Sequence, residues 1–130
     1  MKLLDTNFIL RFLLKDNLQQ FQVAKKILND PAESLYITDM VAAEIVWVLT
    51  SFYKFSRDQI TEKLFLLLNL PSIQSNKSVL IRSLYLYRNF NISFIDAYLA
   101  AYAEEEKLEG IYSFDKGLDK IKEIKRFVPK

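Results

Sequence analysis

The chain alternates short apolar runs with longer stretches whose apolar residues recur at helical spacing. The short runs cover residues 2–5, 35–37 and 111–113, and residues 125–128 are a candidate for a last strand. The longer stretches predict helices over about 6–15, 17–30, 38–54, 56–71, 77–90 and 93–107. Strands that alternate with helices are typical of a parallel sheet with helices on both faces, so the pattern predicts an α/β fold.

No repeat, linker or low-complexity segment divides the chain, and we expect a single domain over residues 1–130. The composition is that of a globular protein, with 51% hydrophobic and 26% charged residues. The net charge of +2 is too small to indicate a general polyanion binder. Lys and Arg outnumber Asp and Glu from residue 116 onward, which predicts either a solvated surface or a phosphate contact at that end.

The residue types that are absent limit the possible chemistry. The chain has no Cys and no His, which excludes thiolate and imidazole chemistry, and it has no glycine-rich phosphate loop. No apolar stretch reaches the roughly 20 residues that cross a bilayer. Asp5 and Arg11 fall where a signal peptide would be apolar. We therefore expect a cytoplasmic protein without membrane contact, whose chemistry uses carboxylates, hydroxyls, amides, Lys, Arg or Tyr.

Four acidic residues interrupt or end apolar runs, where an ionised carboxylate needs a partner. Asp5 and Asp115 each follow a predicted strand, and open parallel sheets bind ligands beyond the carboxyl ends of their strands. Glu44 has apolar neighbours three and four positions away on both sides, which predicts that it points from a buried helix face. Asp96 begins an alanine-rich helix whose small side chains favour close packing against the sheet.

Each acid also has a purely structural explanation. Asp5 and Asp115 could cap the helix or turn that follows them. Glu44 could form a buried salt bridge with a basic residue, and Asp96 could complete a capping box with the serine three residues before it. Asp119 is expected to be solvated, although it could be a fifth acid of the same site.

Acids that folding brings together repel one another and raise one another's pKa values unless a cation offsets their charge. Ligand sets made only of oxygen favour Mg²⁺ or Mn²⁺. Such an ion can activate a water molecule and stabilise charge on a phosphoryl group, which requires neither His nor Cys. The acids therefore predict a site for phosphoryl chemistry.

In their order and spacing, these motifs resemble those of the PIN-domain family of metal-dependent ribonucleases, most closely its VapC-like toxins. The first strand runs into Asp5-Thr6-Asn7, and Glu44 lies early in the apolar helix after the second strand. Asp96 starts the alanine-rich helix, and the later strand runs into Ser113-Phe114-Asp115, where the family more often has Thr than Ser. The resemblance covers essentially the whole chain.

The resemblance implies a three-layer α/β/α sandwich with a short, mostly parallel sheet. It implies a metal-dependent endoribonuclease that hydrolyses RNA with Mg²⁺ or Mn²⁺, and it assigns the catalytic and metal-binding roles to Asp5, Glu44, Asp96 and Asp115. It further implies the toxin component of a toxin–antitoxin module, with RNA as substrate, a cognate antitoxin as partner and a homodimer as the assembly.

Residues beside the acids have expected supporting roles. Thr6, Asn7 and Ser113 carry polar groups that could orient the metal ligands. Arg11 and Lys116 are candidate phosphate contacts because both are close in sequence to the acids. Four aromatic residues of the middle helices could either form a dimer or antitoxin groove or belong to the core: Trp47, Phe52, Tyr53 and Phe65.

Three other functions compete with the ribonuclease. A non-catalytic PIN-like module could bind RNA or protein without cutting it. A phosphoaspartate enzyme of the haloacid-dehalogenase type could use Asp5 as nucleophile, but Asn7 stands where such sites usually carry a second Asp. A DNA nuclease on the same fold is the closest competitor, because a metal site of this kind acts on phosphate rather than on the sugar.

Overall fold

The structure is a computed structural model that describes every residue from Met1 to Lys130. Six α-helices and a 3₁₀ helix alternate with five short strands, and all of the strand pairs are parallel. The predicted α/β class with a short parallel sheet is therefore confirmed. The chain forms two compact units, Met1–Lys77 and Ser78–Lys130. Every helix is too short or too polar to serve as a membrane span.

The first unit contains a three-stranded sheet and four helices. Its elements in chain order are β1 (Lys2–Leu3), α1 (Thr6–Leu14), α2 (Leu18–Leu28), β2 (Leu35–Ile37), α3 (Asp39–Ser51), α4 (Arg57–Leu68) and β3 (Ile73–Ser75). The strand order is β1-β2-β3, so β2 is the central strand. Helix α1 packs against α2 and α3, and α4 packs against β3.

Side-chain caps explain where the helices of the first unit begin. Each helix follows a polar residue whose side chain accepts a hydrogen bond from a backbone N–H three positions later: Asp5, Asn17, Thr38 and Ser56. At α4 the bond is reciprocal, because the Gln59 side chain also accepts from the Ser56 backbone. Such caps satisfy donors that the first helical turn leaves unpaired. The predicted helix starts are confirmed to within a residue or two.

Burial in the first unit differs between the strands. Leu35 and Ile37 of the central strand are each 1% exposed. The expectation that residues 2–5 form a buried strand was wrong in its burial, since Lys2 and Leu3 are exposed and only Leu4 is buried. Strand β1 lies at the edge of its sheet, where a side chain has fewer neighbours to cover it.

Strand β3 was not predicted from the sequence. It pairs in parallel with β2, with Leu35 opposite Ile73 and Ile37 opposite Ser75. Ile73 is the only apolar residue of the strand, so no apolar run marks it, and it follows Pro71 where the helix was expected to end. Its position depends on pairing with β2 rather than on a pattern of its own.

The second unit contains two helices, a two-stranded parallel sheet and the 3₁₀ helix. Its elements are α5 (Lys77–Asn89, whose first residue closes the first unit), α6 (Phe94–Glu105), β4 (Ile111–Tyr112), the 3₁₀ helix (Lys116–Lys120) and β5 (Arg126–Phe127). The predicted stripe of α5 is buried, with Leu80, Leu84 and Tyr87 at most 4% exposed. The alanines of α6 at positions 97, 100, 101 and 103 are at most 2% exposed, and the helix packs on β4 as their size predicts.

Candidate functional site

Asp5 and Glu44 line one cleft of the first unit. Asp5 is the N-cap of α1, and its Oδ1 accepts a hydrogen bond from the Phe8 N–H at 2.8 Å. Glu44 projects from the second turn of α3, and its Oε1 accepts a hydrogen bond from the Thr6 hydroxyl. Both acids line a cleft of about 430 Å³ together with Thr6 and Asn7. The start of α1 thus brings two of the candidate acids to one surface.

The environment of these acids corrects two expectations. Glu44 is exposed rather than directed from a buried face, because Met40 and Trp47 beside it are also exposed, at 83% and 58%. Glu44 forms no salt bridge, so its structural alternative is wrong. Asp5 and Asp115 are exposed as well. Asp96 is therefore the only one of the four acids that is partly buried.

Asp115 is fixed in the loop that follows β4. Its backbone N–H donates to the Ser113 Oγ at 2.9 Å, and its Oδ1 accepts from the Gly117 N–H at 2.8 Å as the cap of the 3₁₀ helix. The Ser113 N–H in turn donates to the Phe127 carbonyl of β5 at 3.2 Å. The loop is therefore attached to the sheet at one end and capped at the other.

Asp96 and Asp115 form a like-charged pair in the second unit. The Ser93 side chain caps α6 by accepting the Asp96 N–H at 3.1 Å, as predicted. Partial burial raises the pKa of Asp96 above its ordinary value, and the negative charge of Asp115 and a hydrogen bond between the two carboxyl groups raise it further. A hydrogen bond from Ser93 opposes this shift of the pKa.

No role of its own was predicted for Arg126 from the sequence, where it belongs only to the excess of basic residues from residue 116 onward. Its guanidinium donates to both carboxylate oxygens of Asp119, at 2.8 and 3.0 Å, and to the Ser113 carbonyl at 2.9 Å. The bidentate hydrogen bond from Arg126 holds the pKa of Asp119 below its ordinary value. Asp119 is therefore paired rather than simply solvated. Nothing in the spacing of positions 119 and 126 indicated this contact.

The remaining predicted residues lie around these acids. Arg11 of α1 forms an ion pair with Asp16 at 3.3 Å, and its Nε is out of contact with solvent and without a hydrogen-bond partner. Lys116 is exposed at the start of the 3₁₀ helix, and its positive charge helps to lower the pKa of Asp119. Asn7 is exposed at the rim of the cleft that holds Asp5 and Glu44.

The four aromatic residues of the middle helices do not belong to the core. Trp47, Phe52, Tyr53 and Phe65 are 58%, 66%, 41% and 48% exposed. Trp47 and Phe52 contact one another edge to face, with ring centroids 5.3 Å apart. The alternative that placed these four side chains in the core is therefore wrong, and a partner surface stays a prediction.

Each unit contributes a pair of candidate acids, and neither unit by itself holds three acidic side chains close enough to bind a metal ion. The donor set nevertheless suits a hard cation, because all of its atoms are carboxylate oxygens. Hydrogen bonds from the protein orient one oxygen of Asp5, Glu44 and Asp115, and they leave the other oxygen of Asp5 and of Glu44 available. The Asp96–Asp115 pair would gain most from a cation, because a positive charge removes its repulsion.

Asp5 follows strand β1 and Asp115 follows strand β4, and each carboxylate accepts a backbone hydrogen bond. The chain is therefore an α/β protein whose acidic residues suit phosphoryl chemistry. The model of the PIN domain family matches residues 2–124, so the chain belongs to the PIN domain family. The match runs through both compact units. PIN domains are commonly nucleases that use divalent metals, and membership in the family suggests nucleic-acid binding. No curated protein is similar enough in sequence to count as a match.

Proposed function

We propose that this PIN domain is a Mg²⁺- or Mn²⁺-dependent endoribonuclease and the toxin component of a toxin–antitoxin module. In this proposal Asp5, Glu44, Asp96 and Asp115 are the catalytic and metal-binding residues. Both compact units belong to a single PIN domain over residues 1–130, which the uninterrupted family match supports.

The observation that carries the proposal is the Asp96–Asp115 pair. Partial burial raises the pKa of Asp96 and the charge of Asp115 raises it further, so the charged pair is unfavourable in a metal-free protein. The α6 cap and the Ser113 hydroxyl each accept a hydrogen bond from the backbone N–H of one of the two residues, at 3.1 and 2.9 Å. A site of this kind favours a divalent cation over the empty state.

The side chains divide the work between binding and orientation. A bound divalent cation would lower the pKa of a water molecule and neutralise charge on the scissile phosphate. Asp5, Asp96 and Asp115 would serve as metal ligands, while the Thr6 hydroxyl orients Glu44 and the Ser113 hydroxyl accepts the backbone N–H of Asp115. Glu44 is held through Oε1, so its Oε2 is available to orient the attacking water or to contact a second ion. Lys116 is the stronger candidate for a contact with the phosphates of the RNA, because the other candidate, Arg11, already forms an ion pair with Asp16.

The proposal extends to partners. We infer that a cognate antitoxin and a second copy of the chain bind this protein in the cytoplasm. The exposed aromatics of α3 and α4 and the turn between them support a protein-binding surface, because large apolar side chains in this number favour burial against a partner. The competing function is a PIN-like module that binds RNA or protein without cleaving it, and turnover distinguishes the two.

The test is cleavage of a labelled single-stranded RNA and of a DNA of the same sequence by the purified protein, with Mg²⁺, Mn²⁺ or EDTA. We expect the RNA to be cut with either metal and to stay intact in EDTA. Preferential cleavage of the DNA would make the protein a DNA nuclease. If neither strand is cut while Mn²⁺ fails to raise the melting temperature, the non-catalytic module replaces the nuclease.

A further inference from the structure

A cavity of the first unit lies beside the cleft of Asp5 and Glu44. It has a volume of about 730 Å³ and is formed by α1 and α2. Asn7 lines both this cavity and the acidic cleft, so the two are contiguous on the surface of one unit. Cavities of about 300–1,000 Å³ are typical of small-ligand sites. If a substrate binds at Asp5 and Glu44, the adjacent part of the same substrate can therefore occupy this cavity.

The polar wall of the cavity consists almost entirely of side-chain amides. They belong to Asn7, Asn17, Gln19 and Gln20, and Arg11 is the single charged residue of the lining. The side chains of Asn7, Gln19 and Gln20 make no hydrogen bond within the protein. Asn17 uses its Oδ1 to cap α2, where it accepts the Gln20 N–H at 3.0 Å, so its NH₂ group has no partner in that bond. The wall thus offers unpaired donors and acceptors together.

The other wall of the cavity is apolar. Phe8, Val23 and Ala24 supply it, with Ala24 at 1% and Val23 at 54% exposure. A flat group with a hydrogen-bonding edge would contact both walls at once. Nucleobases have this shape, and single-stranded RNA is recognised through base edges and faces rather than through a helical groove.

Charge decides between a base and a phosphate as occupant. A phosphate accepts hydrogen bonds only, so the amide carbonyls of four Asn and Gln side chains would oppose it. The lone cation, Arg11, already contacts Asp16 through Nη1 at 3.3 Å. Base edges present donors and acceptors together, which Asn and Gln amides match in bidentate pairs.

We propose that the cavity between α1 and α2 binds a nucleobase of a single-stranded RNA next to the cleft that Asp5 and Glu44 line. This inference rests on the proposed function, since it takes RNA as the substrate. Gln19 and Gln20 are the residues that determine which base is accepted. Asn7 and Arg11 lie at i and i+4 on one face of α1 and direct the strand from the cavity toward the acids.

The test compares the wild type with the double variant Q19L/Q20L and with Q22L. Gln19, Gln20 and Gln22 are all exposed on α2, but Gln22 does not line the cavity, so Q22L is the matched control. Leu removes the amide and leaves an apolar side chain that is one bond shorter. Binding of short homopolymeric RNAs of A, C and U is measured in EDTA, where no cleavage occurs, and thermal melting checks that each variant is folded.

We expect the affinities of the wild type for the three RNAs to differ by about fivefold or more, since one bidentate amide–base contact discriminates by at least that much. In Q19L/Q20L the difference in affinity among the three RNAs should fall to about twofold or less, whereas Q22L should retain the wild-type difference. The salt dependence of binding should not change, because the phosphate contacts remain. A double variant that retains the wild-type preference, or a wild type that shows none, would overturn the inference.

Failure of the cavity proposal is distinguishable from failure of the nuclease proposal. If the wild type prefers one base but never cleaves RNA, the nuclease proposal is contradicted and the base-binding proposal is supported. A wild type that cleaves RNA with metal but binds all bases equally would contradict the base site alone.

Discussion

Glu44 was selected from a sequence pattern that the structure contradicts. Its apolar neighbours at helical spacing predicted a buried carboxylate, yet α3 exposes Glu44 together with Met40 and Trp47. What distinguishes Glu44 is its hydrogen bond from Thr6, which joins the start of α1 to α3. A contact between positions 38 residues apart leaves no trace in a local pattern.

Replacing Thr6 tests whether this contact supports the chemistry. Thr6→Val removes the hydroxyl but keeps the shape, so Glu44 loses its orientation, and we expect RNA cleavage to fall by about 10- to 100-fold. Thr6→Ser keeps the hydroxyl and should retain most of the activity. Cleavage rates at saturating Mn²⁺ and melting temperatures are compared. Equal rates for the Val and Ser variants would show that Glu44 needs no support from Thr6.

Ionisation of Asp96 should lower the stability of the folded protein as pH rises, whereas ionisation of Asp119 should raise it. The raised pKa of Asp96 means that its charged form is less favourable in the folded state. The stability contributed by the protonated group is present below its ordinary pKa of 3.8 and is lost as pH rises through the folded value. Metal-free Asp96→Asn should therefore melt higher than the wild type at neutral pH, and the difference should vanish in acid.

Asp119→Asn is the matched control. The pKa of Asp119 is lowered by Arg126, so its charge favours folding above its ordinary pKa of 3.8, and this contribution is lost as pH falls through the folded value. The Asn variant should therefore not melt higher than the wild type at neutral pH. Melting curves in EDTA across this range measure both effects. An Asp96→Asn protein that melts lower than the wild type at neutral pH would contradict the like-charged pair.

At the scale of the element, local chemistry specified the helices better than the strands. Asn17, Thr38, Ser56 and Ser93 cap helices where the sequence predicted starts, because capping depends on residues within one turn. Strand β3 was missed, since two polar residues accompany Ile73 and its identity comes from pairing with β2. Strands as short as Arg126–Phe127 carry too few positions for a period to be read.

Gly110 is an element-scale requirement of the small sheet. A Cβ at this position would lie 2.2 Å from the Lys125 carbonyl oxygen and 2.9 Å from Phe127 Cε2. Gly110→Ala should therefore separate β4 from β5 and cost about 1–3 kcal/mol of unfolding free energy. At Gly117 the nearest atom is the Asp115 carboxylate oxygen at 3.0 Å, which can move with its side chain. Urea unfolding of both variants should show the larger loss for Gly110→Ala, and the reverse order would contradict the close approach.

At the scale of the whole molecule, the sequence predicted the class of fold and the family. The family match over residues 2–124 confirms the PIN domain, and the parallel strands confirm the α/β class. The sequence did not predict the contact of Arg126 with Asp119 and Ser113, nor the amide-lined cavity between α1 and α2. Both depend on side chains that meet across turns, and no residue type or spacing marks them in advance.

The central claim is the proposal that Asp5, Glu44, Asp96 and Asp115 are each required for metal-dependent RNA cleavage. The most direct measurement is the rate of RNA cleavage against Mn²⁺ concentration for the wild type and for D5N, E44Q, D96N and D115N. Glu62→Gln, an exposed acid on α4, is the control. We expect each of the four variants to lose about 100-fold or more, because several kcal/mol of charge stabilisation are removed, while E62Q cleaves normally. Wild-type rates in the variants of either pair would contradict the claim.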